Sequence, residues 1–231
     1  MEERRSSGEC RGSHRIYLGY AAGVGKTYEM LVEARLRAGR GEDVVVGYLE
    51  PHIRPDTRQL AEGLDSVAPV AIAYRGSEFT ELDVAAVIAR HPDWVVVDEL
   101  AHTNVPGAGC EKRWQSVEEI LKAGIGVLST LNVQHIHSLN DYVYQVSGVR
   151  VRETVPDWVV ESADVIVVDT DPDELLARVR RGDVVAPEEV GQALMHFFRR
   201  ATLGALRERM LAVRTRCLTV EGRHEAPPEA R

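Results

Sequence analysis

Two short clusters of polar residues in this 231-residue chain have the types and spacing needed for phosphate chemistry. The first is Lys26 followed by Thr27, directly after the glycine-rich stretch GYAAGVG at 19–25. Glycines let backbone N–H groups turn inward around phosphates, the lysine supplies a positive charge, and the threonine hydroxyl can bind Mg²⁺. A helix that begins here directs its positive end at the same anion. The segment therefore predicts a phosphate-binding loop for a nucleoside triphosphate.

This loop departs from the common pattern G-x-x-x-x-G-K-[ST] at one position. The pattern has a glycine six residues before the lysine, where this chain has Tyr20. Gly19 and Gly23 lie on either side, so the loop has either one extra residue or a shifted first turn. A glycine-rich turn that binds nothing is the alternative. We predict that the residues contacting the nucleotide are Gly23, Val24, Gly25, Lys26, Thr27 and Tyr28.

The second cluster, Asp98 and Glu99, directly follows the apolar run WVVV at 94–97. This is the form of a Walker B element, in which an aspartate helps to hold Mg²⁺. We therefore predict Thr27 and Asp98 as metal ligands and Glu99 as the catalytic residue that polarises an attacking water. Many strands end in an acidic residue, so the pair alone is weak evidence for a Walker B element. The glycine-rich loop upstream strengthens this assignment.

The segments around these clusters alternate between strand-like and helix-like patterns. We predict strands at 15–18, 44–49, 70–74, 94–97, 125–131 and 165–168. We predict helices at 28–37, 57–64, 82–89, 114–122, 136–146 and 172–181, the last of them capped by Asp171. This alternation predicts an α/β fold of the P-loop NTPase type, with a mostly parallel, doubly wound sheet flanked by helices. In such sheets ligands bind at the C-terminal ends of the strands.

Composition narrows the class of protein. A hydrophobic content of 44% suits one α/β domain, and a formal net charge of −8 argues against nucleic-acid binding. No run reaches the ~20 apolar residues of a membrane span, and the first fifteen residues have no apolar signal segment, so we expect a cytoplasmic chain. Three widely spaced cysteines predict reduced thiols rather than disulfides.

Other polar residues have two interpretations each. His102, His135 and His137 could form a metal cluster, but loop hydrogen bonding fits their spacing better. Asn132 could sense the γ-phosphate beside the Walker B strand, or cap a loop. Lys112 and Arg113 could reach phosphate, or form a charged pair on the surface. Glu50 could orient water or Mg²⁺, or be a structural acid at a strand end.

Six segments, in order, resemble the N-terminal cytoplasmic domain of the KdpD family, the potassium-responsive sensor histidine kinases of bacterial two-component systems. The segments are GYAAGVGKTYEML (19–31), VVVGYLEPHIRPDT (44–57), VVVDELAHTNVPG (95–107), KRWQSVEEIL (112–121), STLNVQHIHSLND (129–141) and VRETVPD (151–157). The resemblance runs from about residue 13 to about 215, and the family's loop has the same glycine spacing. It implies an ATP-binding regulatory domain that uses ATP and Mg²⁺. In full-length members this domain is joined to a membrane-anchored histidine kinase that acts on the response regulator of the K⁺-transport operon.

The chain differs from the family pattern at GAGCEKRW (107–114) and at FFRRATLGALRERML (197–211). It has no recognisable histidine kinase core, so we expect at most weak ATPase activity and a partner that is either the rest of a sensor kinase or a separate kinase and response regulator. The alternative is a free-standing P-loop NTPase or small-molecule kinase. We predict a domain at 14–216 between disordered tails at 1–13 and 217–231. A helical segment at 190–213 either covers the sheet or contacts a partner or membrane surface.

Overall fold

The computed structural model of the chain describes residues 11–50 and 54–224 and contains eight strands in this part. Numbered in chain order, they are β1 (His14–Gly19), β2 (Val44–Tyr48), β3 (Asp65–Ser66), β4 (Val70–Tyr74), β5 (Ser77–Glu81), β6 (Trp94–Val97), β7 (Gly126–Asn132) and β8 (Asp164–Val168). Six of them form one sheet in the order β3-β2-β6-β7-β1-β8, and all neighbours are parallel. The predicted α/β fold of the P-loop NTPase type is confirmed.

Helices flank this sheet. They are α1 (Lys26–Gly39), α2 (Pro55–Ala61), α3 (Val84–Arg90), α4 (Arg113–Lys122), α5 (Asn140–Ser147), α6 (Asp157–Glu161), α7 (Pro172–Arg180), α8 (Val190–Met195) and α9 (Arg200–His224). Helix α1 packs against β1 and β7, and α9 packs against β8 and β1. Strand β7 is buried from its first residue to Leu131, as expected for a strand of a parallel sheet that helices cover on both faces. None of the described helices is long and apolar enough to cross a membrane.

Strand β7 lies between β1 and β6, and this order determines which side chains meet at the carboxyl edge of the sheet. Gly19, the last residue of β1, pairs with Asn132 of β7. On the other side Val97 pairs with Ser129, so Asp98 follows β6 next to Thr130. The glycine-rich loop, the acidic pair and the end of β7 therefore share one edge of the sheet.

The strand predicted at 70–74 exists, but it lies outside the main sheet. It pairs antiparallel with β5 in a separate two-stranded sheet. Arg75 and Gly76 form the connection, with φ of 50° and 81°, the conformation of a tight hairpin turn. Strand β5 was missed because SEFTE is mostly polar and exposed, and lacks the apolar alternation of a half-buried strand.

Several predicted helices have different limits. The one at 57–64 begins two residues earlier, at Pro55, and gives way to β3. The one at 136–146 begins at Asn140, since Val133–His135 and His137–Leu139 are 3₁₀ turns. The segment 190–213 is broken into α8 and α9, because His196 has a non-helical ψ of −87°. The short helix α6 was not predicted.

Some residues of the two predicted tails make contacts or lie in a helix, whereas the domain limits at 14 and 216 stay a prediction. Gly12 donates its backbone N–H to the Leu121 carbonyl at 2.7 Å, and Arg11 binds Glu118 through both guanidinium nitrogens. These residues lie in the predicted tail at 1–13, whose first ten residues lie outside the described chain. Helix α9 continues to His224, within the predicted tail at 217–231, and the remainder of that tail is also outside the described residues.

Candidate functional site: a phosphate loop facing an acidic pair

The glycine-rich loop connects the end of β1 to the first turn of α1. Gly23 and Gly25 have φ of 84° and 107°, a left-handed conformation that favours glycine. At Gly19 a Cβ atom would lie only 2.6 Å from the Val24 side chain and 2.9 Å from Cδ of Lys26. The glycine needed for close approach is therefore Gly19 at the strand end, so the first turn of the loop is shifted relative to the common pattern.

Tyr20, which replaces the expected glycine, holds the loop from behind. Its side chain is fully buried, and its hydroxyl donates to the Thr170 carbonyl at 2.8 Å. Thr170 in turn donates its hydroxyl to the Val24 carbonyl at 2.9 Å. Val24 is itself buried, so only its backbone is available to a ligand. Tyr28, which is 43% exposed, lines the cleft in front of the loop.

Lys26 points its ammonium group back into the loop. Its Nζ atom donates to the Ala21 carbonyl at 3.3 Å. Burial lowers the pKa of Lys26 to about 8, although Asp98 and Glu99 oppose this shift. A phosphate group at the loop would give this desolvated charge the anionic partner that the loop carbonyl does not provide.

The predicted metal ligands meet at the floor of the cleft. The Thr27 hydroxyl lies 3.3 Å and 3.2 Å from the two carboxylate oxygens of Asp98. The hydroxyl of Thr130 also donates to Asp98 and fixes the orientation of that carboxylate. Mg²⁺ prefers oxygen ligands, and Thr27 and Asp98 present theirs towards one point, so the residues fit the predicted cation.

Thr130 was missed by the sequence analysis, although its neighbour Asn132 was considered. Residues two apart in a strand lie on the same face, so Thr130 and Asn132 both line the cleft. The Oδ1 atom of Asn132 is buried and has no hydrogen-bond partner among the described residues. A buried amide oxygen without a partner is costly, and a polar ligand in the cleft would satisfy it.

Glu99 has a strained backbone that is fixed by its neighbours. Its φ is 53°, rare for a residue other than glycine. Its N–H donates to Oδ1 of Asp98 and to Oγ1 of Thr130, both at 3.1 Å. Burial, together with the nearby carboxylates of Glu50 and Asp98, raises the pKa of Glu99 to about 7. Glu50, just after the end of β2, thus lies beside Glu99 on the wall of the cleft.

Arg113 takes neither of its two predicted roles. It is completely buried, with its guanidinium 3.7 Å above the ring of Tyr48. It donates to the Asp98 carbonyl at 3.2 Å and to Glu81 at 3.0 Å. It therefore supports the acidic pair from below. Lys112, its neighbour, donates to the Thr103 hydroxyl at 2.7 Å.

Glu81 joins Arg113 to a predicted histidine. Its other carboxylate oxygen lies 3.1 Å from Nε2 of His102 and accepts the Val105 N–H at 3.0 Å. Burial alone would raise the pKa of Glu81, but these hydrogen bonds outweigh burial and lower it. This buried network was not predicted, because its members come from β5, the loop after β6 and the start of α4.

The three histidines considered as a metal cluster do not share a site, and the side chains of His102 and His135 bind different partners. His135 makes a 2.8 Å hydrogen bond through Nδ1 with the Glu153 carbonyl, and burial lowers its pKa. His102 binds Glu81, and His137 lies in the next 3₁₀ turn. Within residues 11–50 and 54–224, no group of three or more His, Cys, Asp or Glu side chains is placed to hold a metal ion.

The glycine-rich loop, the acidic pair, Thr130 and Asn132 open into one cleft of about 1380 Å³. Its walls include the predicted loop residues 22–29 and the acids Glu50, Asp98 and Glu99. They also include three arginines that the sequence analysis did not consider, namely Arg54, Arg178 and Arg181. The structure thus brings all the predicted site residues to one cavity.

Comparison with known proteins gives the family. Residues 10–217 match the family model described as "KdpD: Osmosensitive K+ channel His kinase sensor domain". The chain belongs to the KdpD family. It is 52% identical over 199 residues to the sensor protein KdpD of Mycobacterium tuberculosis and 48% identical over 199 residues to that of Escherichia coli. The sensor protein KdpD of Clostridium acetobutylicum is 46% identical over 207 residues.

These alignments cover 86%, 86% and 89% of the chain but only 23%, 22% and 23% of the respective KdpD relatives. The chain therefore spans less than a quarter of the length of these relatives. The family match includes the glycine-rich loop, the acidic pair and most of α9.

Proposed function

We propose that this domain binds Mg²⁺-ATP in the cleft and that the bound nucleotide regulates signalling by a KdpD-type sensor kinase. The observation that carries the proposal is the meeting of Thr27 and Asp98 at 3.2 Å beside a loop with Gly23, Gly25 and Lys26. Lys26 and the loop N–H groups bind the phosphates, and Thr27 and Asp98 hold the cation. The cation neutralises phosphate charge when bound. Glu99 takes a proton from water, which allows slow hydrolysis.

A route from the cleft to α9 supports a regulatory output. Asp169, directly after β8, lines the cleft. Arg207 of α9 binds both of its carboxylate oxygens, with distances of 2.7 Å and 2.5 Å. A bidentate pair of this kind fixes orientation as well as distance, so a shift of Asp169 is passed to α9. The expected recipients are other domains of a sensor kinase, or a separate histidine kinase and response regulator controlling K⁺ transport.

The binding proposal is tested by calorimetry with ATP, ADP and GTP, with and without Mg²⁺. We expect Mg²⁺-dependent binding of ATP, and absence of binding to all three nucleotides would refute the proposal.

The regulatory proposal is tested by hydrogen exchange. Mg²⁺-ATP should protect residues 23–30 and 98–109, and should change exchange at 197–210. The variant Arg207→Gln should keep the first two effects and lose the third. Protection limited to the loop in both proteins would identify a passive nucleotide binder.

A second candidate is phosphoryl transfer to a small acceptor, which the size of the cleft favours. Its 1380 Å³ exceeds the roughly 300–1,000 Å³ of typical ligand pockets. ATP consumption that depends on an added small molecule would support this candidate over a purely regulatory domain.

A further inference from the structure

Three arginines line the cleft without a role in the proposed function. Arg54 is the residue before α2, Arg178 lies in the last turn of α7, and Arg181 directly follows that helix. They come from two segments far apart in the sequence, one after β2 and one after β8. The fold nevertheless places all three on the wall of the cavity that contains the phosphate loop.

Arg178 is the member of this group that contacts the loop. Its Nη1 atom donates to the Gly23 carbonyl at 3.1 Å, and its Nη2 atom pairs with Glu174 in the same helix. Gly23 is one of the left-handed glycines that shape the loop. The Arg178 guanidinium therefore lies directly beside the place where the nucleotide phosphates are proposed to bind.

The three positive charges are only partly compensated. Burial lowers the pKa of Arg54, and repulsion from Arg178 and Arg181 lowers it further. The negative charge of Asp183 acts in the opposite direction and raises this pKa. Asp183 accepts a 2.9 Å hydrogen bond from Nε of Arg181. Among the described residues, Arg54 makes no hydrogen bond to a carboxylate. Because the half-buried guanidinium of Arg54 lies near two other guanidinium groups, an anion bound between them would reduce the repulsion among the three charges.

We propose that Arg54, Arg178 and Arg181 form a second anion subsite that binds a phosphoryl group beside the phosphate loop. This proposal rests on the proposed function, because the subsite lies next to the proposed nucleotide site. Guanidinium groups suit this ligand because each offers two parallel N–H donors to phosphate oxygens. The phosphoryl group is either the γ-phosphate of the nucleotide or the phosphate of a second molecule in the large cleft.

The test compares Arg54→Gln and Arg181→Gln with Arg150→Gln. The control removes a charge of the same kind from a side chain that is 63% exposed and lies outside the cleft. Arg181 is itself 61% exposed, so its variant should fold even if replacing Arg54 disturbs the start of α2. Calorimetry measures Mg²⁺-ATP, Mg²⁺-ADP, and inorganic phosphate added to protein saturated with Mg²⁺-ADP.

Two results support the subsite and distinguish its ligands. If the γ-phosphate binds there, both variants lose about tenfold in ATP affinity while ADP affinity is unchanged. If a second molecule binds there, nucleotide affinities stay the same and phosphate binding to the ADP complex falls about tenfold. Variants that bind ATP, ADP and phosphate as Arg150→Gln does would overturn the proposal.

Failure of the proposed function has a different signature. If the unchanged protein binds neither nucleotide, pyrophosphate is titrated against the nucleotide-free protein and the Lys26→Ala variant. Binding that survives Lys26→Ala but is lost in Arg54→Gln and Arg181→Gln supports the arginine subsite by itself. Pyrophosphate binding that is insensitive to both arginine variants overturns it.

Discussion

The hydroxyl of Thr27 lies 3.2 Å from Oδ2 of Asp98, although the two residues are 71 positions apart in the sequence. In the sheet, β7 lies between β1, which leads into the loop, and β6, which leads into Asp98, and Thr130 of β7 holds the Asp98 carboxylate. The Thr27 hydroxyl and the Asp98 carboxylate thus face each other across the base of the loop.

Replacing Asp98 with Asn should weaken ATP binding by about tenfold in Mg²⁺ and have little effect in EDTA, because the amide is a poor cation ligand. Calorimetry at both conditions measures the difference. Asp141→Asn is the matched control, since its side chain is 89% exposed. An equal loss of affinity with and without Mg²⁺ would contradict a metal-binding role for Asp98.

The variant Lys26→Ala should bind ATP at least about tenfold more weakly, a loss of roughly 1.5–3 kcal/mol, because a charge-assisted contact to phosphate is removed. Circular dichroism checks that the fold is retained. Lys122→Ala removes the same side chain from an exposed position in α4 and should bind normally. Unchanged affinity in a folded Lys26→Ala protein would remove the basis for the phosphate-loop assignment.

Glu99→Gln should keep ATP binding and lose most of any hydrolysis, since the amide cannot accept a proton from water. Because the pKa of Glu99 is raised to about 7, its carboxylate form increases with pH, and hydrolysis by the unchanged protein should rise between pH 6 and pH 8. Phosphate release is the measurement. A flat pH profile, or a variant as active as the parent, would exclude Glu99 as the base.

Arg113→Met should destabilise the domain by about 3–5 kcal/mol, because it leaves the buried carboxylate of Glu81 without its charged partner. Urea unfolding gives the free energy. The double variant Glu81→Gln, Arg113→Met should recover part of the loss, whereas Arg150→Met on the surface should change stability little. If Arg113→Met unfolds like Arg150→Met, the buried pair has no structural importance.

His14 should make stability depend on pH. Its ring is buried against Ser129, and burial lowers its pKa from 6.5 to about 3. Below pH 6.5 the unfolded chain binds a proton that the folded domain does not, so stability is full above 6.5 and falls as the pH drops. The loss should be about 1.4 kcal/mol between pH 7.5 and 5.5. Urea unfolding of His14→Gln should show a smaller loss, while the exposed His196→Gln control should behave like the parent.

The strands that position the site residues could be predicted from the sequence. Lys26, Thr27, Asp98 and Glu99 follow apolar strands, and such strands must be buried in a sheet whose carboxyl ends face one edge. Their spacing was therefore enough to predict that they share a cavity. Thr130 could have been found as well, since it lies two residues before Asn132 on the same strand face.

The buried pair of Arg113 and Glu81, which lies behind the acidic pair, could not be predicted from such local patterns. Arg113 and Glu81 lie 32 positions apart, and a charged side chain at a helix start is usually solvated. Glu81 is the last residue of β5, and the placement of the β4–β5 hairpin brings its carboxylate to Arg113. The same holds for Arg54 and Arg178, because local sequence patterns do not show which distant loops cross one cleft.

The length of helix α9 determines how far its end would move if the helix tilted. Its 25 residues extend for roughly 37 Å at 1.5 Å per residue. Arg207, bound to Asp169 at the cleft, lies about one third of the way along it. If the helix pivots at this point by about 5°, its last turn moves by roughly 2 Å. A tilt of this size would therefore displace the backbone at the far end of α9 more than the backbone at its first residues, so the helix would act as a lever whose short arm lies beside the cleft.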